Sequence, residues 1–128
     1  IGCSNTAELA TALVGTGFSY SPATRTRQGR RLAQLLPQVR DVRRYGSAAI
    51  DLCLVACGRM DAYFEEHLNS WDFAAGVLIA TEAGAMTSNF TGGPAGPDAA
   101  VAAAPGIHPQ LLAAIAAIDT ALESTSLT

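Results

Sequence analysis

Apolar and polar positions alternate between two periods along this chain, and the switches between them predict its elements. Thr11–Thr16 (T-A-L-V-G-T) is a short apolar run ending at Gly17 and reads as a buried strand. Ser21-Pro22 then places a hydroxyl at a cap and proline at the first helical position, predicting a helix to about Leu36. Leu32, Leu35 and Leu36 form its apolar stripe, and Pro37 stops it. Val39–Tyr45 predicts a strand, and Gly46-Ser47 turns the chain into a second helix, Ala48–Gly58. That helix is apolar round nearly its whole circumference, with Asp51 as its only charge. Asp61–Glu66 is a further strand. Asn69 or Ser70 caps a third helix, Trp71–Ala83, which is again apolar on almost every side. Met86–Asn89 is a short strand, Thr91–Pro97 (T-G-G-P-A-G-P) a loop, Ala99–Ala104 a strand, and Pro109–Glu123 an alanine-rich helix.

Helices that are apolar all round are buried on most sides. Alternating with strands, they imply layers of helix and sheet, the α/β class, with helices covered by sheet on both faces. A chain of 128 residues is too short to wrap such helices alone, so further structure is expected to cover them. The chain opens on Ile1 rather than methionine, which adds to the expectation of a piece of something longer. No internal repeat or linker divides it.

Charge changes the picture in one place. All eight basic residues are arginine, and seven lie between Arg25 and Arg44; from Tyr45 onward one arginine faces nine acids. A basic stretch can mark a nucleic-acid surface. Here the arginines run along one helix without interleaved aromatics, so the expectation is a solvated helix face and no nucleic-acid partner. Cys3, Cys53 and Cys57 lack metal-ligand spacing and read as small buried hydrophobes in a reducing compartment. The start carries no secretory signal, and the apolar runs fall far short of the ~20 residues of a membrane helix. The expectation is a soluble, cytoplasmic protein with no membrane contact.

Three features carry candidate chemistry. Gly46-Ser47-Ala48 stands at a helix start, where close backbone approach and free N–H groups suit an anion or hydroxyl oxygens; taken alone, a structural turn and cap explains it better. Asp72, in the first turn of the third helix, fits a capping arrangement with Asn69, or a carboxylate ligating a hard cation such as Mg²⁺. Glu65 and Glu66 lie on opposite faces of a strand end, so one can point to solvent and the other into a cleft.

The stretch R-R-Y-G-S-A-A-I-D-L-C-L-V-A-C-G-R-M-D-A-Y-F-E, followed by W-D-F-A-A-G-V-L-I-A-T-E-A-G, resembles the inositol monophosphatase family over Arg43–Gly84. W-D-x-A-A-G is the second of that family's signature motifs, and G-S-A-A stands at the matching distance before it. The flanks A-L-V-G-T-G-F and V-A-A-A-P fit more loosely. The resemblance implies a layered α/β sandwich of the inositol monophosphatase and sugar phosphatase type, of which residues 1–128 form the carboxy-terminal half. It implies that Asp72 ligates the metal at the phosphate site and faces the substrate, that Glu65 accepts a substrate hydroxyl, and that Gly46, Ser47 and Ala48 line the pocket for the substrate ring.

The same resemblance implies a Mg²⁺-dependent, lithium-sensitive phosphate monoester hydrolase acting on a small phosphorylated polyol, with inositol phosphate favoured, and forming homodimers. The family's D-P-x-D-G-T motif and upstream glutamate, which supply most metal ligands, occur nowhere between Ile1 and Thr128. They are expected in an amino-terminal half, and the isolated chain is expected to be inactive. Other family substrates are fructose bisphosphate, nucleotide 3′-phosphates and histidinol phosphate; the alternative outside catalysis is a partner- or RNA-binding module retaining the half-fold. His67 and His108 match no family position and read as surface or loop histidines.

Overall fold

A computed structural model of the chain describes residues 1–126. Its elements run β1 (Leu13–Thr16), α1 (Pro22–Leu35), β2 (Asp41–Arg43), α2 (Ala48–Ala56), β3 (Ala62–Glu66), α3 (Ser70–Glu82), β4 (Met86–Ser88), β5 (Ala99–Ala103) and α4 (His108–Ser126). Every helix and strand expected from the pattern is present, most with somewhat tighter bounds. Single 3-10 turns at Leu9–Thr11 and Leu36–Gln38 flank β1 and end α1 at Pro37.

The five strands form one mixed sheet in the order β2-β1-β3-β5-β4. β2, β1 and β3 are parallel, while β5 runs antiparallel to both β3 and β4. Alternation along the strands sends successive side chains to opposite faces. Val14, Ala62, Phe64, Val101 and Ala103 face one way, onto Leu35 of α1 and Leu111, Ile115 and Ile118 of α4. Tyr63, Ala100 and Ala102 face the other way, onto Leu52 and Val55 of α2 and Phe73 and Ala80 of α3. The chain is therefore a helix–sheet–helix sandwich, with the α/β layering read from the sequence.

Several expectations are corrected. α2 and α3 are covered by sheet on one face only; Ile50, Trp71 and Leu78 on the outer face are 55%, 79% and 62% exposed. Cys53 and Cys57 share that face, as their spacing requires, and are exposed rather than buried, while Cys3 is half-buried. The buried positions of α1 are Gln28, Arg31 and Leu35, not a leucine stripe, and Leu36 lies past the helix end and is exposed. Arg31 is thus no part of a solvated face: it bonds Glu66 and Asp119 in the interior. His108 is buried at the start of α4, with Nε2 2.8 Å from Ser88 Oγ, whereas His67 is exposed as read. Among the described residues no helix is long and apolar enough to cross a membrane.

Candidate active site

The carboxyl end of β3 and the starts of α2 and α3 converge on one cleft of about 310 Å³, and Gly46, Ser47, Ala48, Glu65 and Asp72 all line it. These five residues come from three separate elements spread over positions 46–72, so the shared cleft is a product of the fold rather than of sequence proximity.

Each is held by local chemistry. Gly46 has φ +86°, a left-handed backbone that permits the sharp entry into α2. Ser47 is the N-cap, its Oγ accepting the Ile50 N–H at 3.3 Å, so α2 starts against the cleft wall with its first amides unpaired within the helix. At α3 the Asn69 N–H donates to Asp72 Oδ2 at 3.2 Å. Asp72 is therefore a capping residue, as its spacing from Asn69 predicted. Its Oδ1 takes no hydrogen bond among the described residues, which leaves one oxygen of a cleft-lining carboxylate for another partner.

Glu65 is seated by two neighbours. The Tyr63 hydroxyl donates to its Oε1 at 2.7 Å. Gly17, at the end of β1, supplies the space: a Cβ there would fall inside contact distance of the Glu65 carboxylate, as near as 2.1 Å from Oε1. Burial pushes the Glu65 carboxyl up from its ordinary range; the Tyr63 bond and the Arg44 charge oppose this, and Asp72 adds to it. Burial and then Glu65 raise the Tyr63 hydroxyl, which stays a donor. Glu66 goes to the opposite face as alternation requires, but into the interior rather than to solvent. There it accepts from Arg31 Nη1 at 2.8 Å, Gln28 Nε2 at 3.2 Å and Arg27 Nη1 at 3.3 Å. Burial pushes the Glu66 carboxyl up, but the Arg31 bond and charge, the Arg27 charge and the Gln28 bond together hold it below the usual range.

Four further residues bear on the site and were not singled out from the sequence: Gly17 and Arg44 line the cleft, and Tyr63 and Asp51 lie behind it. Gly17 and Tyr63 seat Glu65. Arg44 lines the cleft, with its guanidinium 5.8 Å from the centroid of the Phe18 ring, a cation over an aromatic face. Asp51 does not line the cleft; it is 1% exposed, and the Glu65 and Arg44 charges bear on it. Its signal was legible as the lone charge of an apolar helix, and Arg44 stood two residues before Gly46. Nothing local marked Gly17 or Tyr63.

Oxygen donors of this kind suit a hard cation. Among the described residues, however, no cluster of three or more His, Cys, Asp or Glu side chains is placed to hold a metal. The chain offers a metal one free carboxylate oxygen at Asp72, and a complete coordination shell needs ligands from elsewhere.

Fold and cleft together define the class: a three-layer α/β unit with an acid-bearing pocket where two helices begin. The chain belongs to the inositol monophosphatase family, whose sequence model matches residues 1–120. It is 55% identical over 115 residues to the inositol-1-monophosphatase of Mycobacterium leprae, covering 88% of this chain and 40% of that protein. The solved structure of Mycobacterium tuberculosis SuhB superposes with a TM-score of 0.83 at 51% identity, over 91% of this chain and 46% of that one. A protein of Xylella fastidiosa named Nus factor SuhB is 46% identical over 95 residues, 72% of this chain and 34% of its own length. The chain thus spans less than half the length of these relatives.

Proposed function

We propose that the chain is the carboxy-terminal half of a Mg²⁺-dependent phosphomonoesterase that converts an inositol phosphate and water to inositol and phosphate. The observation that carries this reading is the single cleft that gathers Gly46, Ser47, Ala48, Glu65 and Asp72. In this reading Asp72 offers Oδ1 to the metal while Oδ2 stays on the Asn69 N–H, so the cap orients the ligand. When bound, Mg²⁺ supplies charge neutralisation at the phosphate and activation of water. Glu65, kept as an acceptor by the Tyr63 hydroxyl, takes a ring hydroxyl of the substrate. Gly46–Ala48 present backbone without bulk, letting the ring approach the start of α2. Arg44 balances the carboxylates and bears on the anionic substrate from the rim. The name of the Mycobacterium leprae relative supports the substrate, and the exposed face of α2 and α3 supports an amino-terminal half that covers it.

The test is phosphate release from inositol 1-phosphate by the intact protein. Asp72→Asn is expected to lower kcat/KM by about 100-fold or more, since it removes charge from a metal ligand. Glu65→Gln is expected to raise KM by about 10-fold with a smaller effect on kcat, because it weakens a bond to a spectator hydroxyl. Wild-type turnover without Mg²⁺, or an unaffected Asp72→Asn enzyme, would contradict the reading.

The relative named as a Nus factor gives a second reading, an RNA-associated module, one specific support. The arginines favour it less than their number suggests. Arg31, Arg27 and Arg43 are engaged by Glu66, Asp119 and Asp41, and Arg25 donates to the Ser19 carbonyl. RNA binding that falls steeply with salt and is lost in the Arg30→Ala/Arg40→Ala double variant would establish it.

A further inference from the structure

The segment that joins β1 to α1, Gly17–Ser21, is fastened at nearly every residue. Gly17 is buried against the Glu65 carboxylate. Two guanidiniums lie over the Phe18 ring, Arg25 at 5.9 Å and Arg44 at 5.8 Å from its centroid. The Ser19 N–H donates to Oε1 of the buried Gln28 at 2.9 Å, and the Ser19 carbonyl accepts from Arg25 Nη1 at 3.1 Å. The Ser21 N–H donates to Ser19 Oγ at 3.1 Å. Tyr20 is the exception. Its side chain is 91% exposed and makes no hydrogen bond or ring contact among the described residues.

A single exposed aromatic residue needs no explanation by itself. Tyr20 differs in its place, because it lines the same cleft as Gly46–Ala48, Glu65 and Asp72. Its neighbours on both sides are anchored, so the ring is held at the cleft wall with only its own torsions free. A ring held in this way offers broad, amphipathic contact area at a low cost in entropy. No other side chain of the cleft is so placed. Phe18 is already engaged by guanidiniums, and Leu68 is buried. Trp71 is exposed, but it stands on the open face of α2 and α3, where covering structure accounts for it.

We propose that Tyr20 is a specificity-determining residue whose ring packs on the C–H face of a cyclic polyol while Glu65 and the start of α2 take its hydroxyls. This rests on the reading of the cleft as the site of a phosphorylated polyol. Such a ring carries hydroxyls round its rim and C–H bonds on its faces. Carboxylates and helix amides read the rim, and an aromatic side chain covers a face. Contact with a part of the substrate remote from phosphorus is as strong before the transition state as in it, so it acts on KM rather than kcat. An acyclic phosphate monoester has no such face and gains nothing from Tyr20.

The experiment compares the intact wild-type protein with Tyr20→Ala and Tyr20→Phe on inositol 1-phosphate and on glycerol 2-phosphate. Tyr20→Ala is expected to raise KM for inositol 1-phosphate about 5- to 10-fold at unchanged kcat, and to move KM for glycerol 2-phosphate by less than about 2-fold. Tyr20→Phe is expected to keep both wild-type KM values, because the ring and not the hydroxyl makes the contact. Equal KM rises on the two substrates, no rise on either, or a Tyr20→Phe protein that behaves like Tyr20→Ala overturns the proposal. A changed oligomeric state or lowered Tm in Tyr20→Ala, with both KM values unmoved, assigns the residue to a protein contact and also overturns it. If the wild type turns over neither substrate, the phosphatase reading fails and takes this proposal with it. If the wild type is active and Tyr20→Ala matches it, the role of Tyr20 alone is wrong.

Discussion

In the proposed reading Asp72 carries two duties on one carboxylate, and the capping duty alone was visible in residue spacing. Asn69 and Asp72 stand three apart, and one oxygen closes the turn. The proposed ligand role rests on the surrounding W-D-F-A-A-G and on the cleft that Asp72 lines. Glu65 was legible as an end-of-strand acid, but its seat was not, because Gly17 is 48 residues away and meets it only through the pairing of β1 with β3. Gly17→Ala is expected to displace Glu65, costing about 1–3 kcal/mol of stability and raising KM as Glu65→Gln does; denaturant titration and kinetics check this. Asp51 makes a stability prediction with a definite sign. A carboxyl raised from 3.8 to about 7 in the folded state keeps its full stabilising share below the unfolded value. That share is lost as pH rises from about 4 through about 7. Asp51→Asn should therefore shrink the loss of unfolding free energy between pH 5 and pH 8 by about 2 kcal/mol. Asp61, held below its ordinary range by its donors, works in the opposite direction and gives up its share on acidification through its folded value.

At the scale of elements, periodicity read α2, α3 and the strands well because their core-facing positions are apolar. It misread the face of α1, where Gln28 and Arg31 occupy buried positions and a hydrophobic pattern cannot register them. Arg31 replaces apolar packing with a fork of bonds. Its Nε and Nη2 reach Asp119 of α4 at 2.8 and 2.9 Å, its Nη1 reaches Glu66 of β3, and its guanidinium stacks 5.1 Å from the Phe90 centroid. One side chain thus ties two helices to the strand that carries Glu65. Arg31→Met leaves Glu66 inside without its main partner and is expected to cost about 3 kcal/mol in denaturant unfolding, with Asp119, which is partly exposed, adding little. A cost below about 0.5 kcal/mol would mean that this network is not what secures β3. The closing glycine of W-D-F-A-A-G also has an element-scale reason: a Cβ on Gly76 would lie 2.7 Å from the Leu52 side chain, so the motif sets how closely α3 packs on α2.

The whole molecule was legible in its layering and in the expectation that more structure belongs against it. What the pattern could not divide was the burial of α2 and α3 between this chain's own sheet and something else; the fold assigns one face to the sheet and leaves the other apolar and open. Ile50, Trp71, Leu78 and Ile79, with Cys53 and Cys57, are all exposed on that face, and contiguous exposed apolar surface of this kind marks an interaction site. The isolated chain is therefore expected to bind a hydrophobic dye, to aggregate without a defined stoichiometry in sedimentation and to release no phosphate, while the intact protein binds no dye and sediments as one defined species. A monodisperse, dye-silent isolated chain would show that the face needs no cover. The central claim, that Asp72 directs its second oxygen to a catalytic metal, is tested most directly by anomalous diffraction from crystals of the intact protein soaked in Mn²⁺. The account predicts a peak about 2.0–2.2 Å from Asp72 Oδ1 that disappears in Asp72→Asn. Bound Mn²⁺ with no peak at Asp72 would contradict it.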